Sequence, residues 1–163
     1  MTKNIWDLQD PAATLREINQ LCPLRLGSSV VAAVRLGDQT VTGAKVATSG
    51  GEGLPAMPAD SDLARRLAHE LVPDRFSVTT EHGGMTHVLV SVVCRDGYVL
   101  AGRREMDWFR AWRYSNHFSG AFAGDVYVVT PDGWTGTMDQ RAGTDPYLGM
   151  DSRPSLSVVR SVP

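Results

Sequence analysis

The feature that most constrains this chain is the run Val88, Leu89, Val90, Val92 and Val93. Branched apolar residues fill almost every position, so the run has no polar face and reads as a strand buried on both sides. Asp96-Gly97 follows at once, the strongest short signal for a two-residue hairpin turn. Tyr98, Val99 and Leu100 read as the return strand, which ends in Gly102-Arg103-Arg104. An aromatic, basic segment comes next, with Trp108, Phe109, Arg110, Trp112, Arg113 and Tyr114, and reads as a loop. The stretch closes on Ser115-Asn116-His117-Phe118-Ser119-Gly120.

The rest of the chain is arranged around that stretch. Asp10-Pro11 supplies a capping oxygen and then proline at the first helical position. Leu15, Ile18 and Leu21 recur at helical spacing, so residues 11–21 read as a short amphipathic helix, ended by Pro23. Residues 30–34 and 40–46 read as a hairpin turning near Gly37-Asp38. Residues 48–58 crowd glycine and proline into a loop; its SGGEGLP lacks the Gly-Lys-Ser/Thr ending of a phosphate cradle. Asp60-Ser61-Asp62 caps a second helix with Leu63, Leu67 and Leu71 on one face, and Pro73 stops it. Residues 76–80 read as a strand and 81–84 as a turn. Residues 126–129 form another strand, Pro131-Asp132-Gly133 a turn, and Trp134 begins a return strand. From Asp139 onward the periodicity fades into an irregular tail.

The expected architecture is therefore α+β, or mixed α/β: six to eight short, largely antiparallel strands with two helices. At 163 residues the chain fits one domain. Within it, 1–58 hold the first helix, hairpin and loop, 59–138 the second helix and main sheet, and 139–163 the tail. A net charge of −2 gives no global field that favours nucleic acid, and no basic recognition helix follows a helix-turn, so direct DNA binding is not expected. Arginine supplies nearly all the positive charge, only Lys3 and Lys45 being lysines. A GC-rich bacterial genome is the plain reading; guanidinium forks selected for phosphate are the functional one. Two cysteines, Cys22 and Cys94, are too few for a disulfide framework or a zinc cluster. With no secretory leader and no apolar run of membrane length, a cytoplasmic protein with reduced thiols is expected, without membrane partners.

The order strand, DG, strand ending VLAGRR, aromatic segment and YSNHFSG resembles the first half of a Nudix hydrolase domain, over about residues 87–125. That resemblance implies a mixed sheet flanked by helices, and a substrate pocket lined by the matching loop and strand edge. It also implies a magnesium site on a helix carrying the box G-x5-E-x7-R-E-U-x-E-E-x-G-U, which this sequence lacks. Glu105 is the last glutamate, and the acids beyond Gly120 are Asp125, Asp132, Asp139, Asp145 and Asp151, spaced among turn residues. The chain ends where the family would continue into its glutamate helix, so it reads as truncated or frame-shifted relative to a full domain.

The expectation is thus a catalytically silent, Nudix-like regulatory or accessory protein that binds a nucleotide or a protein partner. Its ligand contacts would be Arg103, Arg104, Trp108, Arg110, Arg113 and His117, with arginines clamping phosphates and Trp108 stacking on a base. The plain alternative puts the tryptophans in the core and leaves the arginines solvated or paired with Glu105 and Asp107. No catalytic residue and no cofactor are assigned, Mg2+ entering only if the chain is a divergent hydrolase that recruits aspartates. A third expectation is a ligand-free regulatory protein of a mobile element. His69, His82, His87, His117 and Cys94 match no short zinc spacing.

Overall fold

The computed structural model describes residues 4–47, 60–72, 84–115 and 120–144. Their elements run α1 (Pro11–Leu21), β1 (Ser29–Arg35), β2 (Val41–Val46), α2 (Ser61–Leu71), β3 (His87–Cys94), α3 (Arg103–Tyr114), β4 (Ala121–Thr130), β5 (Gly133–Gly136) and β6 (Ala142–Gly143). The fold is α+β, with three helices and an open, mixed six-stranded sheet ordered β2-β1-β3-β4-β5-β6 among the described residues. Every neighbouring pair is antiparallel except β3 and β4.

The apolar run is the centre of that sheet, and its alternation divides the core into two layers. Val88, Val90, Val92 and Cys94 join Val30, Ala32 and Val34 of β1 beneath Leu15 and Ile18 of α1. Leu89 and Val93 join Val31 and Ala33 on the opposite face, beneath Leu63 and Leu67 of α2 and Trp108 and Trp112 of α3. Both helix starts anticipated from Asp10 and Asp60 form: Asp10 Oδ1 accepts from the Ala13 N–H at 3.0 Å and Asp60 Oδ1 from Leu63 at 2.8 Å.

Three local expectations are corrected. Tyr98, Val99 and Leu100 do not form a return strand; they lie in an irregular link, with Tyr98 85% and Leu100 68% exposed. Both edges of β3 are already occupied, by β1 on one side and β4 on the other. The β4 pairing is parallel, and parallel neighbours need a crossover rather than a tight turn. The aromatic segment supplies it: it is the helix α3, not a loop, which brings the helices to three. Glu105, Trp108, Ala111 and Trp112 fall on its buried side. Residues 139–144 are also more ordered than the irregular tail expected, since β6 pairs with β5. The readings placed on residues 48–58, on Pro73, on 76–80, on 81–83 and on 145–163 lie outside the described residues.

The β3–β4 ladder slips between Leu89 and Ser91, which face Ala123 and Val126. Gly124 occupies that bulge. A Cβ there would meet Val88 Cγ2 at 2.6 Å and the Leu89 carbonyl oxygen at 3.0 Å, so the strands approach this closely only without a side chain. On the opposite layer, the Trp112 indole N–H donates to Ser91 Oγ at 2.8 Å, which satisfies a hydroxyl buried inside the sheet.

Gly124→Val should lower the unfolding free energy by about 1–3 kcal/mol, because backbone must move to admit the side chain. Trp112→Phe should cost about 1–3 kcal/mol by leaving Ser91 without its donor. Urea unfolding followed by circular dichroism measures both, and an unchanged midpoint for either would contradict the packing described.

Candidate functional site

Helix α3 carries most of the side chains singled out by sequence, and its geometry separates exposed ones from buried ones. It begins after Gly102, whose N–H donates to Glu105 Oε2 at 2.6 Å, a side-chain cap reaching back from the third helical residue. Glu105 is fully buried. Its other oxygen, Oε1, accepts from Arg95 Nε at 2.9 Å, and Arg95 is itself mostly covered. The partner of Glu105 is therefore Arg95, at the end of β3, and not one of the arginines of the helix.

Arg103, Arg104, Arg110 and Arg113 of α3 are all exposed. Arg110 reaches Asp107 one turn away at 3.6 Å, and the Arg113 guanidinium sits over the Tyr114 ring, 5.8 Å from its centroid. Tyr114 is exposed. Trp108 is buried, 3% exposed, tilted against Trp112 with ring centroids 6.1 Å apart. Its ring faces belong to the layer between helix and sheet. His117 lies outside the described residues. The structure thus places four of the six expected contacts, all exposed, along one helix and buries Trp108.

A second polar cluster, where β4 meets the connection from β5 to β6, was not anticipated. The bulge at Gly124 turns Asp125 toward the connection after β5. There Asp125 Oδ1 accepts from Val126 N at 2.7 Å and Met138 N at 2.8 Å, and Oδ2 accepts from Asp139 N at 3.0 Å. Asp139 Oδ2 accepts from the Tyr127 hydroxyl at 2.7 Å and from Arg141 Nε at 2.8 Å. Arg141 continues to the carbonyls of Leu8 at 2.6 Å and Gln9 at 3.3 Å, tying the N-terminal segment to this corner. A Cβ on Gly136 would collide with Asp139 Oδ1 and lie 2.8 Å from Asp125 Oδ2, so the two carboxylates converge over that glycine.

Electrostatics follow burial. Desolvation holds the Asp125 carboxyl above the ordinary carboxylate range; its three backbone donors pull it back, and the nearby Asp139 charge adds to the rise. Burial, then the bond to Asp139, pushes the Tyr127 hydroxyl up. Burial pushes the Cys94 thiol up to about 12, which removes it as a nucleophile at neutral pH. Burial lowers His87, with the Arg35 charge adding to the fall.

Metal chemistry has two carboxylates to work with here rather than a cluster. The oxygens of Asp125 and Asp139 are already committed to backbone, tyrosine and arginine donors, so a cation would have to displace them. Among the described residues, no three of His, Cys, Asp or Glu stand together as a metal site. His87 and Cys94 lie at opposite ends of one strand. No described helix is long and apolar enough to cross a membrane. Comparison with known family models, with curated proteins and with solved structures finds no match for this chain.

Neither cluster was legible as a site. Nothing in the sequence singles out Arg95, which simply precedes Asp96-Gly97, and Asp125 and Asp139 are separated by a hairpin whose closure alone brings them together. Arg95→Ala should cost about 3–5 kcal/mol of stability, since it strands a buried carboxylate; a loss below about 1 kcal/mol in urea unfolding would deny the pair that role. For Asp125, the folded chain binds a proton more readily than the unfolded chain. Its contribution to stability is therefore full in acid and falls as pH rises from the ordinary carboxylate pKa through the raised folded one. Unfolding free energies from about pH 3 to 7 should show the natural chain declining relative to Asp125→Asn as pH rises; a pH-independent difference would refute the assignment.

Proposed function

We propose that this chain is a catalytically silent, Nudix-like regulatory or accessory domain that binds a nucleotide through the exposed arginines of α3. The observation that carries the reading is that Arg103, Arg104, Arg110 and Arg113 are all exposed along one helix whose Glu105, Trp108, Ala111 and Trp112 are buried. Guanidinium groups give paired, charge-assisted donors to phosphate oxygens. Tyr114, exposed beside Arg113, supplies the stacking face that buried Trp108 cannot offer without leaving the core. The family part of the reading rests on the sequence between residues 87 and 125 alone.

The rival reading is a divergent hydrolase of nucleoside diphosphate derivatives, and the meeting of Asp125 and Asp139 is the observation in its favour. That pair already serves as acceptor for backbone, tyrosine and arginine donors, which argues for a structural role.

Calorimetric titration with a nucleotide panel should give measurable binding to the natural chain. The double variant Arg103→Ala, Arg104→Ala should bind more weakly, by about 1.5–3 kcal/mol for each arginine–phosphate bond it removes. Unchanged affinity in that double variant disposes of the site. Magnesium-dependent phosphate release, abolished by Asp125→Asn with nucleotide binding intact, would instead establish the hydrolase.

A further inference from the structure

Asp96-Gly97 and Asp132-Gly133 are the two aspartyl-glycine steps of the chain, and the fold holds them differently. Such a step has a reaction of its own: the peptide nitrogen of the glycine can attack Cγ of the aspartate, and no glycine side chain shields that nitrogen. Asp132-Gly133 forms the tip of the β4–β5 hairpin, where Gly133 is in register with Thr130. The Thr130 hydroxyl accepts from the Asp132 N–H at 3.1 Å and donates to the Gly133 carbonyl at 3.3 Å. Backbone on both sides of the reacting peptide is thus held by one side chain.

Asp96-Gly97 lies in the irregular link between β3 and α3, outside every strand and helix, and both residues are exposed. Among the described residues, neither the Asp96 carboxylate nor the Gly97 N–H has a hydrogen-bond partner. The two groups that react are therefore unengaged. The peptide between them is engaged only at its oxygen, where Arg95 Nη1 donates to the Asp96 carbonyl at 3.2 Å. When the Gly97 nitrogen gives up its proton to attack, negative charge moves onto that oxygen. A guanidinium already in place there stabilises the reacting form.

We infer that Asp96 is a site of spontaneous isoaspartate formation, promoted by Arg95, and that the product loosens the link that Arg95 holds. The Gly97 nitrogen bonds to Asp96 Cγ; the nitrogen loses its proton, the protonated carboxyl loses its hydroxyl, and one water leaves. Water then opens the five-membered imide at either carbonyl. Opening at Cγ restores aspartate. Opening at the original backbone carbonyl leaves that carbon as a free carboxylate and routes the main chain through Cβ and Cγ. The reaction is redox-neutral and needs only water. Arg95 Nη1 holds the Tyr98 carbonyl at 3.1 Å as well as that of Asp96, and Nη2 holds Leu100 at 2.5 Å. The inserted carbon therefore enters a ring closed by one nitrogen, and the product cannot keep both carbonyls on it in their present geometry.

The test incubates the full chain for several weeks in neutral buffer. Peptide mapping by electron-transfer mass spectrometry distinguishes isoaspartate from aspartate at each step. Isoaspartate should form at Asp96 about tenfold or more faster than at Asp132, which must wait for its hairpin to open. In concentrated urea the two steps should react at similar rates. Asp96 should react faster in the folded chain than in urea, because only folding sets Arg95 on the carbonyl. Asp96→Glu keeps the charge but would have to close a six-membered ring; it should melt like the natural chain and form no isomerised product at position 96. The isomerised fraction of the natural chain, separated by chromatography, should melt at a lower temperature than the fresh chain. Equal rates at Asp96 and Asp132 in the folded chain, an Asp96 rate that folding leaves unchanged or slows, or an isomerised fraction that melts like the fresh chain would overturn the inference.

Discussion

The burial of β3 on both faces is the constraint from which the rest of the structure follows. A strand of valines and leucine cannot lie at the surface of a one-sided sheet, so it requires a helix layer on each face. α1 supplies one and α2 with α3 the other. It also requires both edges to be paired, since its backbone donors and acceptors are cut off from water. β1 pairs along one edge in antiparallel register, and β4 along the other in parallel. That parallel pairing dictates the crossover, and the crossover is α3. The helix that carries the candidate site is thus a consequence of how the central strand is satisfied.

The Arg95–Glu105 pair fixes where that crossover begins. Buried charges cost several kcal/mol each to desolvate and remain only when geometry and further hydrogen bonds compensate. Here one carboxylate oxygen caps the helix through Gly102 while the other meets the guanidinium, and the guanidinium satisfies three carbonyls that no strand pairs. The pair therefore substitutes for secondary structure. It lets the chain leave β3 and enter α3 through an irregular link without leaving buried polar groups unpaired. The same arrangement leaves the Tyr98 and Leu100 side chains in solvent.

Within the β3–β4 ladder, a bulge does comparable work. Gly124 allows β3 and β4 to approach closely, and the slip redirects Asp125 to collect three backbone donors. Asp139 and Arg141 then extend the network to the N-terminal segment. Two carboxylates share a partly buried corner without a cluster forming, because each oxygen is already engaged. An aspartate pair of this kind can be mistaken for a metal site when only the positions of the acids are considered; the donors around it give the structural reading.

Periodic and capping signals in the amino-acid order determined α1, α2, the β1–β2 hairpin, the buried β3 and the β4–β5 turn, because each depends on contacts between residues near one another in the chain. Asp10 and Asp60 announce their helices, and the alternation of Val88, Leu89 and Val90 announces two covered faces. The same local information misjudged residues 98–114. Asp96-Gly97 favours a tight reversal, and an aromatic, basic segment has no obvious start signal once its first residue is glycine. Only the assembled sheet decided that region, since it is the parallel partner β4, arriving from residue 121 onward, that removes the free edge a return strand would need. The side chains of the candidate site were legible as arginines and aromatics, but their sorting was not. Whether Trp108 faces solvent or core depends on which side of α3 meets the sheet, and the partners of Glu105 and Asp125 are chosen by distant backbone brought close through folding.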